Sequence, residues 1–121
     1  MASYYDLVII GAGPGGYTAA IKGASFGMKV AVIDENKLGG VCINRGCIPT
    51  KALLHASNIF SMMQHSDEFG VSTDFISFDF AKMQDYKKRS VRRYRDEIQK
   101  LFDKNDITFI KGKATIRREK T

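Results

Sequence analysis

Asp6-Leu7-Val8-Ile9-Ile10-Gly11-Ala12-Gly13-Pro14-Gly15-Gly16 is the stretch that carries the fold. Leu7 to Ile10 is a purely apolar run, as long as any in the sequence, and is rich in β-branched side chains, as a strand buried on both faces should be. A glycine turn follows it at once. Tyr17 to Phe26 then predicts a small-residue helix with Ala19, Ala20, Gly23 and Ala24 on or near one face, and Gly27 stops it. Lys29-Val30-Ala31-Val32-Ile33-Asp34 reads as a second buried strand. Strand, tight turn, helix and strand make one βαβ unit of about 30 residues, which predicts a parallel sheet in an α/β fold.

Further along, Pro49 to about Gln64 predicts a helix with Ala52, Ala56, Ile59 and Met63 at helical spacing. Residues 66–79 read as loop or short extended segment. Phe80 to Lys104 predicts a long helix whose apolar row is Val91, Tyr94, Ile98, Leu101 and Phe102. Ile107 to Ile110 is a strand, Gly112 punctuates it, and Ala114-Thr115-Ile116 begins another. The last residues, Arg117 to Thr121, supply no closing element, so the chain reads as an N-terminal piece.

Gly11-x-Gly13-x-x-Gly16 between a strand and a helix is the arrangement that holds the pyrophosphate of a dinucleotide. Gly11 permits the tight turn, Gly13 lets backbone amides approach the phosphates, and Gly16 lets the helix pack close to the strand. The helix dipole favours the anion there. Asp34, 18 residues after Gly16 at the carboxyl end of the second strand, is placed to accept bonds from an adenosine ribose, with Glu35 beside it. No arginine precedes Arg45, so nothing nearby would hold a 2′-phosphate. The other reading is a purely structural glycine turn. The fingerprint alone does not separate FAD from NAD.

With 121 residues, 44% hydrophobic and 26% charged, the chain is one globular domain rather than a disordered or fibrous one. The four-residue apolar run Leu7–Ile10 is far short of the roughly 20 residues that span a bilayer. No basic segment precedes it, so neither a leader nor a membrane contact is expected, and a cytoplasmic location is. The net charge of +6 hides an asymmetry: residues 1–81 carry −2 and residues 82–121 carry +8. Much of the excess lies in Lys87-Lys88-Arg89, Arg92-Arg93 and Arg95 on the long helix. Asp96 and Glu97 interrupt the run and no stacking aromatics cluster with it, so a solvated face is expected and nucleic acid is not. Contact with an acidic remainder or a partner subunit is the other reading.

Two cysteines cannot be a disulfide scaffold. On a regular helix, residues spaced like Cys42 and Cys47 lie about 8.7 Å apart at Cα. A disulfide needs less than about 7 Å. If the two pair, residues 42–47 cannot be a regular helix, and Gly46 is the residue that would allow the distortion. Separate buried thiols and a zinc site are the alternatives; His55 and His65 follow, but their nine-residue gap is wrong for a usual ligand pair.

Leu38-Gly39-Gly40-Val41-Cys42-Ile43-Asn44-Arg45-Gly46-Cys47-Ile48-Pro49-Thr50-Lys51-Ala52-Leu53-Leu54 resembles the redox-active segment of the flavin-dependent pyridine nucleotide–disulfide oxidoreductases. Its Cys-Ile-Pro-(Ser/Thr)-Lys-Ala-Leu-Leu form is the one favoured by members that oxidise dihydrolipoamide. The resemblance runs from the glycine turn to Gly112. It implies a Rossmann-like, incomplete FAD-binding domain, with NAD bound by a later domain of a longer parent. Cys42 then corresponds to the interchange thiol that attacks the substrate disulfide, and Cys47 to the thiol against the flavin that forms the charge-transfer thiolate. Lys51 corresponds to the lysine near the flavin's reactive edge, although a solvated lysine would read the same. Backbone at Gly112 and Ala114 would approach the adenine. Gly40 and Cys42 join Gly11, Gly13, Gly16, Asp34 and Glu35 among the implied FAD contacts; no metal is implied. The implied partners are lipoyl domains of 2-oxoacid dehydrogenase-type complexes and a second subunit. A second glycine fingerprint, an acid for Lys51 and a His-Glu pair near the C-terminus are not in this sequence, so the piece alone is expected to be inactive. Other reductases of the family, for glutathione or mercuric ion, and a non-catalytic flavin-binding module are the remaining readings.

Overall fold

The computed structural model describes residues 3–117; Arg118 to Thr121, within the segment read as lacking a closing element, lie outside the described residues. Its elements are β1 (Leu7–Ile10), α1 (Pro14–Ser25), β2 (Val30–Asp34), α2 (Gly40–Arg45), α3 (Cys47–Gln64), a 3₁₀ turn (Ser66–Phe69), α4 (Phe80–Lys104) and β3 (Thr108–Lys111). The strands form one parallel sheet in the order β1-β2-β3. The predicted α/β class and parallel sheet are those observed.

α1 begins at Pro14, three residues earlier than the pattern suggested, because proline has no N–H to lose in a first turn and its φ already suits a helix. Gly27, at φ 79°, ends it by donating to Ala24 O at 2.9 Å. Asp79 caps α4 by accepting from Lys82 N at 3.1 Å. The core lies on one face of the sheet, where Val30, Val32, Ala20, Leu38 and Phe102 are buried and Leu7, Ile9 and Ile98 pack against them. Phe102 is the largest fully buried side chain. Its replacement by alanine is expected to cost about 3–5 kcal/mol, read as a shift in the denaturant midpoint; a change below 1 kcal/mol would contradict this core.

Several expectations are corrected. β1 is not buried on both faces: Val8 and Ile10 are 49% and 56% exposed, because α1 and α4 cover only the side that carries Leu7 and Ile9. Ala20 and Gly23 face the core whereas Ala19 is exposed. On α4, Tyr94 and Leu101 are exposed, and the inward stripe is Lys87, Val91, Arg95, Ile98 and Phe102. α3 starts at Cys47 rather than Pro49, and Ile59 and Met63 on its predicted apolar row are largely exposed. Ala114 to Ile116 form no strand.

Candidate active site

The carboxyl ends of the strands draw together the glycine turn, Asp34 and the segment leading to the cysteines. Gly11 sits at φ 102°, a left-handed conformation that disfavours any side chain, and donates its N–H to Ile33 O at 2.8 Å. A Cβ on Gly16 would collide with the carbonyl oxygen of Gly11, so glycine there is what lets α1 lie against the turn. Gly13 is different. A Cβ there meets no protein atom within 4 Å. The space beside Gly13 is therefore open, and no side chain caps the start of α1, which leaves its first amides free to receive an anion.

Asp34 ties these parts together. One carboxylate oxygen accepts from Ala12 N at 2.8 Å and the other from Asn36 N at 2.7 Å. These two N–H groups, Ala12 first, hold its pKa below the usual carboxylate value. Gly112 N donates to Asp34 O at 2.9 Å, which brings the Gly112–Ala114 segment beside the same residue. Glu35 is exposed next to it. Because folding lowers the Asp34 pKa, its contribution is present above the ordinary carboxylate range and is lost as pH falls through the folded value. Asp34→Asn is expected to destabilise the chain by about 1–2 kcal/mol at neutral pH and by progressively less in acid. Urea melts at pH 7 and pH 3 read this difference; an equal loss at both would remove the charged carboxylate as its cause.

From this point the chain turns into the cysteine segment. Gly39, at φ 102°, donates to Ala12 O at 2.9 Å. Gly40, at φ 63°, approaches so closely that a Cβ there would lie 2.6 Å from Gly13 Cα. α2 then runs for six residues and breaks at Gly46, which takes φ −125° and ψ −103° before α3 resumes. That break brings the Cα atoms of Cys42 and Cys47 to 4.6 Å, well inside the spacing of a continuous helix, and the two are joined as a disulfide. Both sulfurs are thus engaged with each other rather than in a zinc site or as separate thiols. Cys42 is half-buried and Cys47 exposed, and Lys51 lies one turn after Cys47 on α3, also exposed.

The sequence did not announce the bracing of α2. Asn44 donates to Leu38 O at 3.1 Å and to Gly40 O at 2.9 Å, and accepts from Arg95 Nη1 at 3.2 Å. The only hint was that Arg95 falls four and eight residues after the inward Val91 and Lys87.

The pyridine nucleotide-disulphide oxidoreductase family matches residues 5–121. The chain belongs to this family. Among curated members, a dihydrolipoyl dehydrogenase of Staphylococcus aureus is 46% identical over 109 residues, covering 90% of this chain and 23% of that protein. One from Manduca sexta is 48% identical over 113 residues, covering 92% and 23%, and one from Geobacillus stearothermophilus is 41% identical over 109 residues, covering 90% and 23%. The chain therefore spans about a quarter of the length of these oxidoreductase relatives. Within the described residues, no helix is long and apolar enough to cross a membrane.

Proposed function

We propose that this chain is the N-terminal part of an FAD-binding domain in a dihydrolipoyl dehydrogenase, with the NAD-binding and dimerisation domains lying outside it. The reaction is oxidation of protein-bound dihydrolipoamide to lipoamide, with electrons passing through Cys42 and Cys47 to FAD and then NAD. The observation that carries this reading is the contact of Gly40 with Gly13, which sets the start of the disulfide-bearing helix directly against the dinucleotide turn.

The residues present fit FAD: Gly13 leaves open space, the start of α1 offers amides for the pyrophosphate, and Asp34, with Glu35 next to it and Gly112 bonded to its carbonyl, lies where the adenosine would be received, Ala114 following Gly112 in sequence. FAD, when bound, supplies the two-electron acceptor for the reduced cysteine pair. The chain's own chemistry is thiol–disulfide exchange. A substrate thiolate attacks Cys42 Sγ, a mixed disulfide forms, and Cys47 leaves as the thiolate. The second substrate thiol then attacks the mixed disulfide, closes the lipoyl ring and releases Cys42. Lys51 places a positive charge on the Cys47 side of α3, favouring the anionic thiolate. Lipoyl domains of 2-oxoacid dehydrogenase-type complexes are the proposed donors and a homodimer the proposed assembly.

Anaerobic titration of the full-length protein tests the reading. One equivalent of dihydrolipoamide per site should open the Cys42–Cys47 disulfide and bring up the long-wavelength thiolate–flavin band, and turnover should sustain NADH formation when NAD is added. Reduction of glutathione disulfide or mercuric ion in preference would assign another member of the family, and absence of bound flavin would remove the reading altogether.

A further inference from the structure

Cys42 and Cys47 are held in different ways. Cys47 opens α3, an 18-residue helix that packs along α4. Cys42 sits on α2, whose six residues are too few for a helix to persist without outside support. α2 has a glycine cap at each end, no side chain capping its start, and Ile43 as the one residue it buries. Among the described residues, a single side-chain hydrogen bond ties α2 to α4, from Arg95 Nη1 to Asn44 Oδ1. Asn44 lies two residues after Cys42 and three before Cys47. Its amide nitrogen spends both protons, on Leu38 O and Gly40 O, the carbonyls on either side of left-handed Gly39. Turned over, the amide would set its oxygen against those two carbonyls and its nitrogen against a guanidinium that can only donate. Arg95 therefore fixes which way Asn44 faces, and Asn44 fastens α2 to the loop that leads into it. Arg95 belongs to no ion pair among the described residues, so no carboxylate draws it away.

We propose that Asn44 and Arg95 are positioning residues for the disulfide, holding Cys42 beside Cys47 while the bond is open. This role rests on the exchange chemistry proposed above and supplies what that chemistry requires, that the two thiols meet again. In closing, the Cys47 thiolate attacks Cys42 Sγ of a mixed disulfide, a new S–S bond forms, and the outside thiol leaves as its thiolate. With α2 braced, attacker and target are fixed neighbours, and the effective concentration of one at the other is high. Without the brace, Cys42 moves with a short unsupported helix and outside thiols compete better for it.

Anaerobic equilibration of the full-length protein with mixtures of reduced and oxidised dithiothreitol tests the role, at ratios that leave any bound flavin oxidised by its absorbance. Acid quenching and alkylation then read the fraction of the pair that is closed. In this exchange the two protein thiols give two electrons and two protons to the oxidised reagent, which becomes the dithiol. Asn44→Ala and Arg95→Met should each lower the closing equilibrium constant about tenfold. Arg95→Lys, which still donates to Oδ1, should stay within about threefold of the unaltered protein, as should Arg92→Met, which removes an exposed cation one turn earlier on α4. The double variant Asn44→Ala/Arg95→Met should lose no more than Asn44→Ala alone, because Arg95 acts through Asn44. A merely structural role would lower the melting temperature of the oxidised protein and leave this equilibrium where it is. An unchanged equilibrium in Arg95→Met, an equal loss in Arg92→Met, or additive losses in the double variant would each overturn the proposal. If Asn44→Ala does not fold, the comparison of Arg95→Met with Arg95→Lys decides alone. The readout needs neither lipoamide turnover nor bound flavin, so failure of the proposed function is distinguishable from failure of the brace.

Discussion

Gly13→Val should leave the full-length protein folded and strip it of flavin. The space that a side chain at Gly13 would enter holds no protein atom within 4 Å, and its φ of −75° is one that any residue adopts, so the fold has no objection to a side chain there. A bound pyrophosphate would: on the proposed reading its approach to the start of α1 runs through that same space, and two methyl groups would fill it. Flavin per protein, measured by absorbance, should fall from near one to near zero, while the melting temperature of the apoprotein moves by no more than a few degrees. Gly16→Ala is the contrasting variant: its Cβ would meet backbone at Gly11, so stability should fall by about 1–3 kcal/mol whether or not flavin is present. Normal flavin in Gly13→Val would remove the turn from the cofactor site.

The second large effect separates the two cysteines. With flavin bound, Cys42 should be the thiol that mild alkylation of the reduced protein labels first, since substrate must reach it and flavin should shield Cys47. In the chain without cofactor the exposures run the other way, Cys47 being exposed and Cys42 half-buried, so the order of labelling should reverse when flavin is removed. Cys42→Ser should keep a long-wavelength absorbance band from the lone Cys47 thiolate beside oxidised flavin; Cys47→Ser should lack it. Both variants should lose lipoamide turnover to background, because exchange needs one thiol to attack and a second to resolve. A band in Cys47→Ser would invert the roles, and labelling that ignores flavin would place the cofactor away from this pair.

The first βαβ unit was legible because its strands are short unbroken apolar runs and its turn is glycine-rich, signals that are local in sequence. α2 was not: it is six residues long, and it depends on left-handed glycines at 39 and 40 and on contact with Gly13, a neighbour in space and not in sequence. Cys42 and Cys47 could be read as incompatible with a regular helix if paired, and the break at Gly46 is the distortion that reading required. Arg95 defeated the hydrophobic pattern because a charged side chain occupies an inward position on account of Asn44, 51 residues away. The exposed side of β1 was read as buried because apolar composition records what a strand can bury, not whether a cover lies within these 121 residues.

The break at Gly46 also determines what opening the disulfide does to the rest of the molecule. Only five positions separate the two cysteines, and both flank one hinge between consecutive helices. No distant part of the chain is fastened by the bond, so cleaving it releases no strand from the sheet and exposes no core. The helices on either side keep the two sulfurs neighbours after cleavage, and ring closure remains a unimolecular event that a dissolved thiol must outcompete. A bond placed this way is suited to repeated opening and closing rather than to stapling distant parts of the fold.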